Sequence, residues 1–195
     1  MTINTKNISV VILAGGKGSR MQGKDKGLIK WQNKPLIEHI LDQILNNSPE
    51  KVGEIFISAN RNEDFYKKFG HKVIKDKFNN FQGPLAGILS AMEQCKYNFL
   101  LCLPCDSPRP PEELTERLMQ CLQNNSSLCA ICFDGKREQP LFSLISCAAK
   151  PQLETFLSEG KRKVHDFFHQ LDVAVCDFSD QADRFENFNT QDDMK

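Results

Sequence analysis

The sequence has no excess of charge of either sign: its 195 residues include 25 lysines and arginines and 25 aspartates and glutamates, so the formal net charge is zero. Proteins that bind nucleic acid or a membrane surface need a positively charged face, so this balance argues against both partners. Any anion-binding site must therefore be local. The chain also has no apolar run that approaches the roughly 20 residues of a membrane span, and its first residues lack the apolar core of a signal peptide. These absences predict a soluble, cytoplasmic protein.

Several well-known catalytic and nucleotide-binding motifs are also missing. No window matches the Walker A pattern, and the pattern G-x-G-x-x-G fails because Met21 stands at its last position. Ser19 lies in no G-x-S-x-G nucleophile elbow. His165 and His169 have i, i+4 spacing, but no carboxylate partner completes an H-E-x-x-H motif. We therefore expect a site that positions substrates and stabilises charge, as in phosphoryl and nucleotidyl transfer, rather than one built for nucleophilic or acid–base catalysis.

The eight cysteines raise the question of disulfides or structural zinc. Without an export signal, reduced thiols are favoured. The pairs Cys102/Cys105 and Cys129/Cys132 have the spacing of a zinc site. Both pairs lie in apolar runs typical of buried strands, in which residues i and i+3 point to opposite faces, so neither pair can clamp one ion. We expect these cysteines to fill the core.

Strand-like and helix-like runs alternate along the chain, which predicts an α/β fold in three layers with a mostly parallel sheet, in a single domain over 1–195. The predicted strands are 8–13, 52–58, 72–75, 99–103, 128–133, 141–145 and 173–178. The predicted helices follow Pro35, cover 62–69 and 85–94, start at Pro110-Pro111, and lie near 150–158 and 162–171. Apolar residues at helical spacing predict the buried face of the first helix, namely Ile37, Ile40, Leu41, Ile44 and Leu45.

The first predicted strand opens into a glycine-rich loop that begins Leu13-Ala14-Gly15-Gly16. Glycines allow backbone N–H groups to approach a phosphate, and nearby cations neutralise its charge. Four cations follow within ten residues: Lys17, Arg20, Lys24 and Lys26. The loop therefore favours an anion site, the alternative being a tight turn beside a solvated run of charges.

Polar residues follow three further strands, and the carboxyl ends of parallel strands meet at one edge, where α/β sheets bind ligands. These residues are Ser58 and Asn60, Asp76, and Asp106. Asp106 ends the most apolar strand between two prolines, which suits a Mg²⁺ ligand shared with substrate phosphates; the alternative is a helix-capping aspartate. For Asp76, contact with a ligand and a solvent-facing turn are about equally favoured.

An ordered set of short strings across nearly the whole chain resembles the molybdenum cofactor guanylyltransferases, the MobA family. Each string alone is weak, but their order is specific. They are Leu13-Ala14-Gly15-Gly16, Arg20-Met21, Asp25-Lys26-Gly27, Lys34-Pro35-Leu36, Ala59-Asn60-Arg61, Val73-Ile74-Lys75-Asp76, Gly83-Pro84-Leu85-Ala86-Gly87, Pro104-Cys105-Asp106-Ser107-Pro108 and Asn187-Phe188-Asn189-Thr190.

The resemblance implies a Rossmann-like nucleotidyltransferase fold and a reaction that transfers GMP from Mg-GTP to the terminal phosphate of molybdopterin carrying molybdenum. By position, Lys26 would hold the phosphates with Arg20 near them, and Asp106 would bind Mg²⁺. The residues implied in GTP binding are Leu13, Ala14, Gly15, Gly16, Lys26, Asp76 and Asp106. The implied partners are GTP, molybdopterin, cofactor-insertion proteins and acceptor molybdoenzymes.

The second substrate is implied to meet a basic loop that includes Arg162, with Asn187 and Asn189 closing the site. The alternatives are a solvated helix start for the loop and a capping role for the two asparagines. Two departures from the family pattern are Ser58, where Asn is common, and Gln22, where Gly is common.

Two other functions stay open. One is a related nucleotidyltransferase, such as the cytidylyl enzyme of the same cofactor or an enzyme that makes NDP-sugars or cytidylyl lipid precursors. The other is a non-catalytic protein that binds GTP or the cofactor.

Overall fold

A computed structural model of the protein describes residues 8–15, 25–47, 52–76 and 83–188. The strands in these ranges are β1 (Ile8–Leu13), β2 (Lys30–Trp31), β3 (Lys34–Pro35), β4 (Glu54–Ser58), β5 (Lys72–Ile74), β6 (Phe99–Pro104), β7 (Cys129–Phe133), β8 (Glu138–Ser146) and β9 (Val173–Asp177). The α-helices are α1 (Leu36–Asn47), α2 (Glu63–Tyr66), α3 (Pro84–Met92), α4 (Leu114–Asn125), α5 (Lys150–Ser158) and α6 (Val164–Phe168). Short 3₁₀ helices cover Lys26–Leu28, Lys67–Phe69, Cys147–Ala149 and Ser179–Phe185.

Seven strands form one sheet in the order β5-β4-β1-β6-β8-β7-β9, and β2 and β3 form a separate two-stranded sheet. Every neighbouring pair in the large sheet is parallel except the two that involve β8. The prediction of a mostly parallel α/β sheet is therefore confirmed. The strand β8 begins three residues earlier than predicted and runs antiparallel, because a short turn at 134–137 joins it to β7 and cannot supply a crossover.

Helices cover both faces of the sheet, which gives the predicted three layers. In β1, Val10 and Ile12 pack into one apolar core with α1 and α4, whereas Val11 packs into a second core with α3 and α5. A parallel strand that is buried on both faces has apolar residues at nearly every position, which explains the continuous apolar sequence of β1. The helices in the described ranges are all too short or too polar to cross a membrane.

The cysteine pairs divide between these two cores, as strand geometry predicts. Cys102 and Cys129 lie in the core beneath α3 and α5, whereas Cys105 and Cys132 lie in the core beneath α1 and α4. All eight cysteines are free thiols.

Two local predictions are wrong. The helix α4 begins at Leu114 rather than at Pro110-Pro111, because Glu113 adopts left-handed backbone at φ 53° and separates the prolines from the helix. On α1, the four isoleucine and leucine positions from Ile37 to Ile44 are buried, but Leu45 is 45% exposed. Leu45 lies in the last turns of the helix, at the edge of its apolar stripe.

Candidate active site

A cavity of about 220 Å³ opens where the carboxyl ends of β1, β4 and β6 meet. This is the edge at which α/β sheets bind ligands. Its described lining consists of Leu13, Ala14, Gly15, Lys26, Ser58, Asp76, Gly83, Pro84, Gly87, Pro104, Cys105, Asp106 and Leu141.

The structure brings six of the predicted site residues together at this cavity, although they come from four separate parts of the sequence. These six are Leu13, Ala14, Gly15, Lys26, Asp76 and Asp106. Gly16, Arg20 and Asn189 were also predicted, and they lie outside the described residues.

The start of the glycine loop is held against β4. The backbone N–H of Ala14 donates to the carbonyl of Ser58 at 2.8 Å, which continues the parallel pairing of β1 one step beyond its end. A Cβ atom at Gly15 would lie 3.3 Å from Nδ2 of Asn60 and 3.6 Å from the Ser58 carbonyl oxygen. Gly15 therefore gives the chain a side-chain-free surface beside the cavity, which allows a phosphate or ribose to approach the backbone.

Lys26 and Asp106 form an ion pair within the cavity. Nζ of Lys26 donates to Oδ2 of Asp106 at 2.8 Å, and the two side chains are 24% and 20% exposed. The 3₁₀ turn Lys26–Leu28 presents the lysine, and the chain leaving β6 presents the aspartate. The backbone N–H of Phe188 donates to the Asp106 carbonyl at 2.7 Å and fixes that turn from the other side.

A buried hydrogen-bond network anchors the residue before Lys26. Asp25 is only 6% exposed, and its carboxylate accepts from the hydroxyl of Tyr66 at 2.6 Å and from Nδ2 of Asn62 at 3.0 Å. Nε of Arg61 lies 3.7 Å from the same carboxylate. Burial raises the pKa of the Tyr66 phenol far above its ordinary value, so the hydroxyl remains a donor. This network holds the turn that presents Lys26. Sequence reasoning missed it because Tyr66 lies in a short helix, and Asn62 directly before that helix, with no motif to mark either residue.

Asp76 lies across the cavity, in reciprocal contact with Asn60. Nδ2 of Asn60 donates to Oδ2 of Asp76 at 2.7 Å, and the backbone N–H of Asp76 donates to Oδ1 of Asn60 at 2.9 Å. Burial raises the pKa of Asp76, while the Asn60 hydrogen bond opposes that shift. Oδ1 of Asp76 is buried and has no hydrogen-bond partner among the described residues. A buried carboxylate oxygen without a partner is costly, so Asp76 is suited to a ligand or cation that fills the cavity.

The cavity wall also contains a thiol, Cys105, immediately before Asp106. Burial, and then the charges of Asp106 and Asp25, raise the pKa of this thiol well above its ordinary value. A thiol that stays protonated is a poor nucleophile. Cys105 is therefore unsuited to covalent catalysis in this wall.

The amino end of α3 adds a feature absent from the predicted site residues. Gly83 precedes the helix at φ 85° and Pro84 occupies its first turn, and both line the cavity. A helix amino terminus carries partial positive charge and free N–H groups, which favour an anion. Gly83-Pro84 belongs to one of the strings that resemble the MobA family, and this resemblance was the sequence signal that could have placed the two residues in the site.

The two described residues predicted for the second substrate lie outside the described cavity lining. Oδ1 of Asn187 accepts from the Ser107 hydroxyl at 2.8 Å, which ties the C-terminal segment to the loop after Asp106. Nη1 of Arg162 donates to the carbonyls of Leu157 and Lys161, at 2.7 and 2.6 Å, at the end of α5. Asn187 is thus next to the site, and the role of Arg162 stays a prediction.

The chain is similar to known proteins along most of its length. A family model described as a MobA-like NTP transferase domain matches residues 10–175. The molybdenum cofactor guanylyltransferase of Histophilus somni (strain 2336) is 44% identical over 188 residues, which are 96% of this chain and 94% of that protein. The protein with the same name from Shewanella sediminis (strain HAW-EB3) is 43% identical over 183 residues, covering 94% of this chain and 91% of that protein.

The fold is also similar to a solved structure. Molybdopterin-guanine dinucleotide biosynthesis protein A from Archaeoglobus fulgidus matches with a TM-score of 0.77 and 22% identity, over 95% of this chain and 94% of that chain. At this level of identity, the match establishes that the two chains share a fold.

Proposed function

The chain belongs to the MobA-like NTP transferase family, and on that premise we propose that it transfers GMP from GTP to the terminal phosphate of molybdopterin. The observation that carries the proposal is the pairing of Lys26 with Asp106 in the cavity that the glycine loop also lines. Nucleotidyl transfer needs groups that bind phosphates and stabilise the charge of the leaving group. This edge of the sheet supplies a cation, a carboxylate and exposed backbone N–H groups for that purpose.

In the proposed reaction, an oxygen of the acceptor phosphate attacks the α-phosphorus of GTP, and the bond from that phosphorus to the bridging oxygen breaks. Pyrophosphate leaves with the electron pair, and the guanine dinucleotide form of the cofactor is the product. The acceptor oxygen is already anionic, so no general base is needed. The main obstacle is the repulsion between two polyanions.

The chain's own residues lower that repulsion. Lys26 would neutralise charge on the phosphates and stabilise the departing pyrophosphate, helped by the amino end of α3. Gly15 would let the nucleotide lie against the loop backbone, and Asp76 would contact the nucleotide with its unpartnered Oδ1. Arg20 lies outside the described residues, and its place beside the phosphates is carried over from the resemblance.

The carboxylates of the cavity fit a hard divalent cation. Asp106 and Asp76 both line the cavity, and the buried Oδ1 of Asp76 lacks a hydrogen-bond partner among the described residues. Mg²⁺ prefers one or two such carboxylates together with substrate phosphates. Asp106 would hold the ion, which when bound supplies positive charge to the phosphates of GTP and to pyrophosphate as it forms.

The reaction is tested by measuring pyrophosphate release from the purified chain with molybdenum-loaded molybdopterin as acceptor. GTP and CTP are compared, each with Mg²⁺ and with a chelator in its place. We expect release with GTP and metal only. Release with CTP instead would assign the chain to cytidylyl transfer, and nucleotide binding without release would favour a non-catalytic binding protein.

The proposal includes the cytoplasm as the site of the reaction. Cofactor-insertion proteins and acceptor molybdoenzymes, which would receive the product, stay predictions.

A further inference from the structure

Three side chains outside the cavity bring metal-ligating atoms together. Within the described ranges, Glu138, His165 and His169 form the one group of three or more His, Cys, Asp or Glu whose ligand atoms all lie within 4.8 Å of one another. Nε2 of His169 lies 2.7 Å from Oε2 of Glu138, and Nε2 of His165 lies 3.1 Å from the same oxygen. The two imidazole rings are 4.1 Å apart and inclined by 33°.

Two elements set this geometry. His165 lies in α6, and His169 is the residue that caps its carboxyl end one turn later, where its N–H donates to the carbonyl of His165 at 3.0 Å. Glu138 is the first residue of β8, directly after the turn from β7. Asp134 holds that turn by accepting from the backbone N–H groups of Lys136 and Arg137, both at 2.8 Å. The start of β8 and the carboxyl end of α6 thus bring the three side chains together.

The ligand set matches divalent transition metals better than Mg²⁺. Imidazole nitrogen suits zinc, cobalt, nickel and copper, whereas Mg²⁺ prefers oxygen alone. Around tetrahedral zinc, ligand atoms at about 2.0–2.1 Å from the ion lie roughly 3.3 Å from one another. The observed separations of 2.7 Å from Glu138 to His169 and 3.1 Å to His165 would need to open by roughly 0.6 and 0.2 Å to reach that spacing. His165 and His169 are 61% and 43% exposed, so their rings are free to make this adjustment.

Three cations adjacent in sequence to the cluster are themselves close to carboxylates, among them Arg137, whose Nε lies 3.7 Å from Oδ2 of Asp134. Two lysines of the nearby basic loop are each near a carboxylate: Lys161 lies 2.7 Å from Glu159, and Lys163 lies 3.9 Å from Asp166. Glu138 itself supplies a negative charge to the site and is 22% exposed, so it is partly screened from water.

We propose that Glu138, His165 and His169 form a binding site for a divalent transition-metal ion of the zinc class, with further coordination positions open to water. The site is separate from the carboxylates of the nucleotide cavity and does not depend on the proposed reaction. A bound ion links α6 to the start of β8 and so stabilises the folded chain by mass action.

Metal binding is measured on the full chain stripped with a chelator and then titrated with Zn²⁺ in competition with a chromophoric indicator. Asp106→Asn serves as the background, because it removes the carboxylate proposed to hold the ion in the cavity. We expect one equivalent to bind in the wild type and in Asp106→Asn. Co²⁺ in place of Zn²⁺ reports the ligands, and we expect a visible spectrum without a thiolate charge-transfer band.

The variants His165→Asn, His169→Asn and Glu138→Gln are each expected to weaken Zn²⁺ binding by at least about 10-fold. Losing a partner that only orients a metal ligand already costs about that much affinity, and each variant here removes a proposed ligand. They should also lose the rise in melting temperature that Zn²⁺ gives the wild type. His71→Asn is the matched control, since it removes a histidine at the amino end of β5 and should change neither result. Because the two cluster histidines are exposed, the metal-free variants should melt as the wild type does.

Zn²⁺ binding that survives all three cluster variants would overturn the proposal. So would binding that disappears with Asp106→Asn, a thiolate band with Co²⁺, or the absence of any bound equivalent in the wild type.

Discussion

The ammonium of Lys26 lies 2.8 Å from the carboxylate of Asp106, across 80 residues of sequence. The pair joins the loop after β1 to the end of β6, two neighbouring strands whose carboxyl ends form the cavity. In the absence of ligand, each side chain neutralises the other. A nucleotide with its cation supplies a new partner to both, so the pair keeps two opposite charges close to where the phosphates would bind.

Replacing Lys26 by alanine is expected to lower kcat/KM for the proposed GMP transfer by about 2–4 kcal/mol of transition-state stabilisation, or roughly 30- to 900-fold. The physical reason is the loss of one cation beside the departing pyrophosphate. Initial rates of pyrophosphate release measure the effect, with the exposed Lys30→Ala as control. A change below threefold would remove Lys26 from the phosphate site.

Asp106→Asn is expected to abolish turnover while the chain remains folded. The substitution keeps the shape of the side chain but removes the charge that would hold the metal. GTP affinity measured without metal should stay the same or increase, because a negative charge near the phosphates is gone. Thermal unfolding checks the fold and calorimetry checks binding, and near-wild-type turnover would refute the metal assignment.

Tyr66→Phe is expected to lower the free energy of unfolding by about 1–3 kcal/mol, since it leaves a buried oxygen of Asp25 without its 2.6 Å donor. Activity should fall as well, because the turn that presents Lys26 loosens. The matched control is Tyr97→Phe, the other tyrosine of the chain, which packs beside Gly53 at the amino ends of the strands. Denaturant unfolding of both variants decides the matter, and equal stability losses would argue against the Asp25 network.

The raised pKa of Asp76 predicts a pH-dependent stability difference between the wild type and Asp76→Asn. Burial raises the pKa, so the folded state holds the proton more tightly than the unfolded state does. The proton contributes its full stabilisation at a pH below the ordinary carboxyl pKa of the unfolded chain. That stabilisation is lost as the pH rises through the raised pKa of the folded state. The wild type should therefore lose stability relative to the variant between acidic and neutral pH.

Denaturant unfolding of both proteins across that pH range measures the difference in free energy, and its change with pH is the diagnostic quantity. Asn60→Ala removes the hydrogen bond that holds the pKa down, so it should move the transition to higher pH. A difference that stays constant with pH would contradict the assignment.

Much of the architecture follows from sequence because the pattern is local. Continuous apolar runs mark strands buried on both faces, and the residues after those strands must reach one edge of a parallel sheet. That rule alone brings Asp76 and Asp106 to the cavity together with the glycine loop. The same two-residue alternation separates Cys102 from Cys105 across the sheet.

What sequence reasoning missed depends on contacts between elements that are distant along the chain. The antiparallel direction of β8 follows from its short turn to β7. That turn also sets Glu138 beside His165 and His169. The three side chains form a ligand set that the H-E-x-x-H pattern could not predict. Tyr66 and Asn62 reach Asp25 only because the segment that begins α2 lies beside the turn at Lys26–Leu28. The sequence by itself determined the seven strands of the large sheet, their buried faces and the edge at which ligands bind, because these depend on spacing along one element. Only the tertiary structure decided which side chains share a hydrogen bond or an ion, because that depends on where separate elements meet in space.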